Sequence, residues 1–211
     1  MTTHDADGRR NMGWLGRTRP WAIWSIGLAP VTIVLHELAH MLVAYAVGYP
    51  SPTLHFSSVD PGPSDGLPPS AAGLVALAGP VLSALLALVG CALLWRQGPA
   101  PWSTALAVSA VSRFVVAVPY TIGLVAVQVV GLQLAPPAFD EYKAGTALHI
   151  SGNALLASTS LLLGAVLWWV HRQLYRNLPP DEARGAWVGL VVGTAAGWAG
   201  WMLGLGPLLL P

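Results

Sequence analysis

Charge is scarce in this sequence. Only 9% of the 211 residues are charged and 55% are hydrophobic, whereas roughly 25% of an average soluble domain is charged. The formal net charge is +1, and no basic tract is interleaved with aromatic residues, which argues against a nucleic-acid partner. The single cysteine, Cys91, excludes an intrachain disulfide. This composition indicates an integral membrane protein.

Hydrophobic residues are concentrated in five segments. Each is long enough to cross a bilayer as a helix, which needs roughly 20 apolar residues at a rise of about 1.5 Å per residue. The segments cover residues 21–49, 71–95, 102–134, 146–170 and 186–210. The third suits either one tilted span with a break near Pro119 or two short spans, and we favour one. The sequence therefore predicts an all-α polytopic membrane protein with about five transmembrane helices, six being the alternative.

Of the formally charged residues, only Glu37 and Arg113 fall inside these segments. Arginine collects in the N-terminal tail, after the second segment and between the last two, whereas residues 50–70 contain no lysine or arginine. The positive-inside rule then places the N-terminus in the cytoplasm. We expect a multi-pass protein of the cell membrane, divided into a polar N-terminal tail (1–20), a catalytic membrane core (21–145) and additional transmembrane helices (146–211).

The first segment contains the zinc-binding motif HExxH, with His36, Glu37 and His40 among apolar neighbours. An ionisable group near the middle of a bilayer costs roughly 2.5–3.5 kcal/mol on insertion scales, so such a cluster indicates function. Residues four apart share a helix face, which lets both histidines reach one metal ion while Glu37 lies beside them as a general base. The alternative is a chance motif whose histidines form hydrogen bonds to neighbouring helices.

A catalytic zinc site has three protein ligands and one open position. Zinc lowers the pKa of a bound water to about 7 and polarises the carbonyl group that the water attacks. The motif supplies two ligands, so the third must come from elsewhere in the chain.

Two further stretches resemble motifs of the site-2-protease family of intramembrane zinc metalloproteases. Residues 76–86 read ALAGPVLSALL and are similar to that family's AGPxxN-type segment, with Ser83 at the position of the asparagine. Residues 139–144 read FDEYKA after two prolines and are similar to its LDGGR-type segment, with Glu141 and Tyr142 in place of two glycines.

The resemblance implies that one zinc ion per chain is held by His36, His40 and Asp140, and that Glu37 is the catalytic base. The register favours Asp140 as the third ligand and leaves Glu141 as an alternative. Both acids could instead offset a helix dipole, worth about 0.3–1 kcal/mol, without any metal. The resemblance further implies regulated intramembrane proteolysis, with single-pass membrane proteins or signal-peptide remnants as substrates.

Three other polar residues are candidates for the site. No acid lies in the segment of Arg113, so an ion-pair partner would have to come from another part of the fold, and the side chain is either structural or substrate-binding. His149 and Asn153 are four apart and predicted to share a face of the fourth segment. His149 is the reserve metal ligand, and Asn153 is a second candidate for substrate binding.

Two segments outside these motifs also carry predictions. The proline-rich connection 50–70 is not helical, and its residues 53–59 are predicted to be extended, with an edge that could pair with an unwound substrate. Glycines recur every four residues at Gly185, Gly189, Gly193 and Gly197. Such a stripe permits close helix approach, either within the bundle or through self-association with another copy.

We therefore predict an intramembrane zinc metalloprotease that hydrolyses peptide bonds of membrane-spanning substrates. The alternative is a non-catalytic metal-binding or interaction protein of the membrane with the same fold. Retention of Glu37 favours the enzyme, because a protein without turnover does not need a general base.

The predicted topology can be tested by cysteine labelling. In a Cys91→Ser background, we expect Ser64→Cys to react with a membrane-impermeant thiol reagent added to intact cells, because an inside N-terminus places residues 50–70 outside. Labelling only after the cells are opened would show that residues 50–70 face the cytosol and that the orientation is the opposite one.

Overall fold

The computed structural model describes residues 13–129 and 137–210, which form a bundle of helices. The elements are α1 (Trp14–Ala46), β1 (Thr53–Leu54), β2 (Val59–Asp60), α2 (Pro69–Gln97), α3 (Pro101–Val111), a 3₁₀ segment (Ser112–Val116), α4 (Ala117–Val129), α5 (Asp140–Ala147), α6 (Gly152–Asn177), α7 (Pro180–Gly200), a π-helical turn (Trp201–Leu205) and α8 (Gly206–Leu209). Within the described residues, five helical stretches are long and apolar enough to cross a membrane. This confirms the predicted all-α multi-pass class.

Helix α1 begins earlier than predicted, at Trp14, and continues through Pro20 and Pro30. Its first seven residues therefore extend into the region assigned to the polar tail. A proline removes one backbone donor, but a membrane helix tolerates this where neighbouring helices pack closely around it. The continuous helix sets the position of the HExxH motif two to three turns before its C-terminal end.

The third span is one helix interrupted by the 3₁₀ segment, rather than two spans. The interruption ends before Pro119, which lies in the first turn of α4, where its missing N–H is tolerated. The Ser112 hydroxyl donates to the Ser109 carbonyl at 2.7 Å and accepts from Nε1 of Trp198 at 2.9 Å. The break is therefore anchored both within its own span and to α7.

The glycine stripe of α7 packs against α1 of the same chain. A Cβ atom at Gly189 would lie 2.5 Å from the Thr18 carbonyl oxygen, and one at Gly193 would lie 2.5 Å from that of Ala22. Helix α1 of the same chain therefore occupies the stripe, which is the first of the two predicted arrangements.

The predicted extended stretch is a short hairpin in which Thr53 lies opposite Asp60 and Leu54 opposite Val59. The Trp201 indole Nε1 donates to the Phe56 carbonyl at 2.7 Å and ties the hairpin to the π-helical turn that follows α7. The hairpin thereby has a fixed position beside the helical bundle.

The fourth predicted segment starts too early. Helix α5 ends at Ala147, His149 has a left-handed φ of 58°, and α6 begins at Gly152 after the Ser151 side chain accepts from the Ala154 N–H at 3.2 Å. The prediction that His149 and Asn153 share a helix face is therefore wrong, because a helix N-cap separates them.

The packing of α7 on α1 gives a stability prediction. We expect Gly193→Ala to lower the free energy of unfolding in detergent by about 1–3 kcal/mol, because the added methyl group overlaps the α1 backbone. The matched control is Gly200→Ala, which adds the same group where no other element among the described residues comes within 4 Å. Equal thermal midpoints for the two variants would contradict this packing.

Candidate metal centre

The centre is assembled by three elements. Helix α1 supplies His36, Glu37 and His40, all buried in the bundle. Helix α2 runs alongside them, and the first residue of α5 is Asp140. The two imidazole rings meet edge to face, with their centroids 4.8 Å apart. The four-residue spacing on α1 thus places both rings in one small volume.

Hydrogen bonds to α2 orient both rings. His40 Nδ1 donates to the Val75 carbonyl at 2.6 Å, and His36 Nδ1 lies 2.9 Å from the Ser83 hydroxyl oxygen. Both rings are held through Nδ1, which leaves the two Nε2 atoms on the side where the rings meet. His36 Nε2 is buried with no hydrogen-bond partner. A histidine ligand is commonly fixed in this way by a partner at its other nitrogen.

Residue 79 of α2, which lies against both rings, is a glycine. A Cβ atom at Gly79 would overlap Nε2 of both His36 and His40. The AGP sequence therefore has a local physical reason: any larger residue would fill the volume that the two nitrogens border. A buried nitrogen without a partner, next to a space that only glycine leaves open, fits a metal site.

Asp140 completes the group. Its Oδ2 atom lies 3.5 Å from His36 Nε2 and 3.4 Å from His40 Nε2. A tetrahedral ion with ligands at about 2.0–2.1 Å requires separations of roughly 3.3–3.4 Å between them, which these distances approach. The three residues form a buried group that can hold a metal ion, and its ligand atoms lie within 4.8 Å of one another.

The carboxyl groups of Asp140 and Glu141 differ in environment. Burial by itself raises the pKa of Asp140, but the facing imidazoles of His36 and His40 outweigh it and hold that pKa well below its usual range. For Glu141, burial raises the pKa and the neighbouring Asp140 charge adds to the rise. Both acids occupy the first turn of α5, where they also offset its dipole. The structure turns Asp140 towards the imidazoles, as the register predicted.

The remaining candidates lie in different places. Arg113 forms an ion pair with Glu37, so its partner does come from another part of the fold. His149 is exposed in the connection before α6 and outside the group of three. Asn153 Oδ1 is buried without a hydrogen-bond partner and does not border the cavity at the centre.

A cavity of about 750 Å³ borders the centre, within the range of roughly 300–1,000 Å³ that ligand sites span. All three members of the metal group line it, together with Glu37 and Arg113. The hairpin contributes Ser57, Ser58 and Val59 to another part of the wall. The hairpin and the metal group therefore border the same cavity.

Sequence reasoning missed three features of the centre: the contact of Ser83 with His36, the Val75 carbonyl that orients His40, and the pairing of Arg113 with Glu37. Of these three, only the role of Ser83 could have been found from the sequence, through its position in the AGP-type segment. A main-chain carbonyl has no sequence signature, and a pairing across 76 positions depends on the tertiary fold.

The chain matches no protein-family model, no curated protein and no solved structure.

The third ligand can be identified by metal affinity. We expect Asp140→Asn to weaken zinc binding by roughly 10-fold or more, because it removes an anionic oxygen facing both imidazoles. Glu141→Gln, the matched control one position along, should leave affinity nearly unchanged. Competition titration with a chromogenic chelator measures both, and the reverse ranking would assign the ligand to Glu141.

Proposed function

We propose that this protein is an intramembrane zinc metalloprotease of the site-2-protease type. The observation that supports this best is the placement of a His–His–Asp group and Glu37 on one cavity inside a bundle of membrane-spanning helices. Three protein ligands beside an open cavity are typical of catalytic metal sites, whereas structural zinc sites are closed by a fourth ligand. The three motifs that resemble that family all contribute to this centre.

Zinc is the proposed metal because two imidazoles and one carboxylate are a common catalytic zinc donor set. His36, His40 and Asp140 would hold it. When bound, it would supply Lewis-acid chemistry, activating water and polarising a carbonyl group.

Glu37 performs the proton transfers. As the water oxygen bonds to the scissile carbonyl carbon, the Glu37 carboxylate accepts one water proton. The carbon–nitrogen bond then breaks, and Glu37 delivers that proton to the leaving nitrogen. The products are a carboxylic acid, which ionises, and an amine, and Glu37 returns to its starting state.

The substrates proposed are single-pass membrane proteins, including membrane-held transcription regulators, and signal-peptide remnants in the cell membrane. A helical substrate must unwind first, because its carbonyl groups are engaged in backbone hydrogen bonds. The hairpin wall at Ser57–Val59 could hold the unwound strand by main-chain pairing.

A second candidate is a non-catalytic metal-binding membrane protein with the same fold. The ion pair between Glu37 and Arg113 favours it, since a buried pair of opposite charges can also be purely structural.

Replacing the base separates the two candidates. We expect Glu37→Gln to retain wild-type zinc content and to lose hydrolysis by about 10²-fold or more, because an amide of equal size cannot accept the proton. Zinc is measured by elemental analysis, and hydrolysis with a panel of fluorogenic single-pass peptides in proteoliposomes. His36→Ala is the control and should lose both. Full hydrolysis by Glu37→Gln would refute Glu37 as the base, and no hydrolysis by a zinc-loaded wild type would favour the non-catalytic role.

A further inference from the structure

Arg113 is the feature of the centre that the proposed reaction does not yet use. In the sequence, Arg113 and Glu37 are the two formal charges inside the predicted apolar segments, and the fold brings them into contact. The Arg113 Nη1 atom donates to Glu37 Oε1. The Glu37 side chain is 3% exposed and that of Arg113 is 22% exposed. Both border the cavity.

The backbone holds Arg113 in place. It is the second residue of the 3₁₀ segment, between Ser112, which is fixed by Ser109 and Trp198, and Phe114, which is 2% exposed. A long arginine side chain normally loses much conformational freedom when it is fixed. Here the break in the span directs it towards one carboxylate.

The contact fixes the orientation of the Glu37 carboxylate through one of its two oxygens. Arg113 engages Oε1, which leaves Oε2 as the acceptor for the proton of the attacking water. A general base must lie within hydrogen-bond reach of the proton that it removes. A displacement of about 1 Å can reduce the rate about 10²-fold.

We propose that Arg113 is a positioning residue, which holds the Glu37 carboxylate in the orientation that accepts the proton of the attacking water. This inference rests on the proposed hydrolytic function. The positioning role also explains the break in the third span, because a regular helix would present the Arg113 side chain at a different angle. Loss of Arg113 should therefore affect turnover and leave the metal ligands in place.

The kinetic test compares Arg113→Gln, Arg113→Lys and the control Arg96→Gln in the full-length protein in proteoliposomes. Arg96 is an exposed arginine in the last turn of α2 and does not border the cavity. We expect Arg113→Gln to lower kcat by roughly 10²-fold with KM changed less than about threefold. Arg113→Lys should recover part of kcat, and Arg96→Gln should match wild type.

A second readout does not need turnover. In protein loaded with Co²⁺ in place of zinc, the visible absorption bands should shift in Glu37→Gln and shift in the same direction in Arg113→Gln, because the first substitution removes the Glu37 carboxylate and the second releases it from its position on the cavity. Arg96→Gln should leave the bands unchanged. Arg113→Gln leaves the buried Glu37 carboxylate unpaired and could fail to fold for that reason. In that case the double variant Glu37→Gln, Arg113→Gln removes the unpaired charge, and Arg113→Lys is used to measure the spectrum.

The two proposals fail in different ways. Wild-type kcat in Arg113→Gln, a raised kcat, or an effect on KM alone would overturn the positioning role in an active enzyme. Unshifted Co²⁺ bands would overturn it in any case. If the Co²⁺ bands of both variants shift in parallel but the wild type hydrolyses no peptide, the contact between Arg113 and Glu37 would be supported and the protease refuted.

Discussion

The structure depends on one constraint: an ionisable group inside a membrane bundle needs a partner of complementary charge or hydrogen-bonding capacity. Each group at the centre has one in the fold. His40 is paired with a main-chain carbonyl of α2, His36 with Ser83, and Glu37 with Arg113. Asp140 faces both imidazoles. The helices that surround α1 are therefore required for the HExxH motif to be stable at this depth.

Close helix approach is the second requirement, and glycine meets it at two levels along α1. Towards the C-terminal end of α1, Gly79 of α2 lies against the imidazole nitrogens, which a Cβ atom would overlap. Nearer the N-terminal end, Gly189 and Gly193 of α7 bring the two helix backbones into close contact. Because lipid offers helices no hydrophobic drive to associate, such contacts rely on dispersion and fit. The helix that carries the motif is therefore packed closely against two neighbours, which fixes the positions of its imidazole rings.

Much of this could be predicted from the sequence, because the bilayer restricts both composition and segment length. The five spans follow from apolar length, and the two histidines from their spacing in a segment whose one formal charge is Glu37. Boundaries were less accurate: α1 starts at Trp14 because α7 packs beyond the apolar stretch, and His149 leaves the helix because Ser151 caps the next one. The pairing of Arg113 with Glu37 could not be predicted, since composition gives no information on which distant helices meet.

The break in the third span connects folding with chemistry. A buried carboxylate is stable in the bundle only when paired, yet a carboxylate whose two oxygens were both engaged would have no acceptor left for a proton. A contact to one oxygen satisfies both conditions. The 3₁₀ segment Ser112–Val116 gives Arg113 the angle to make this contact, and Trp198 fixes it through Ser112. The same departure from helical geometry that weakens the span locally therefore allows a carboxylate to be kept within the membrane bundle.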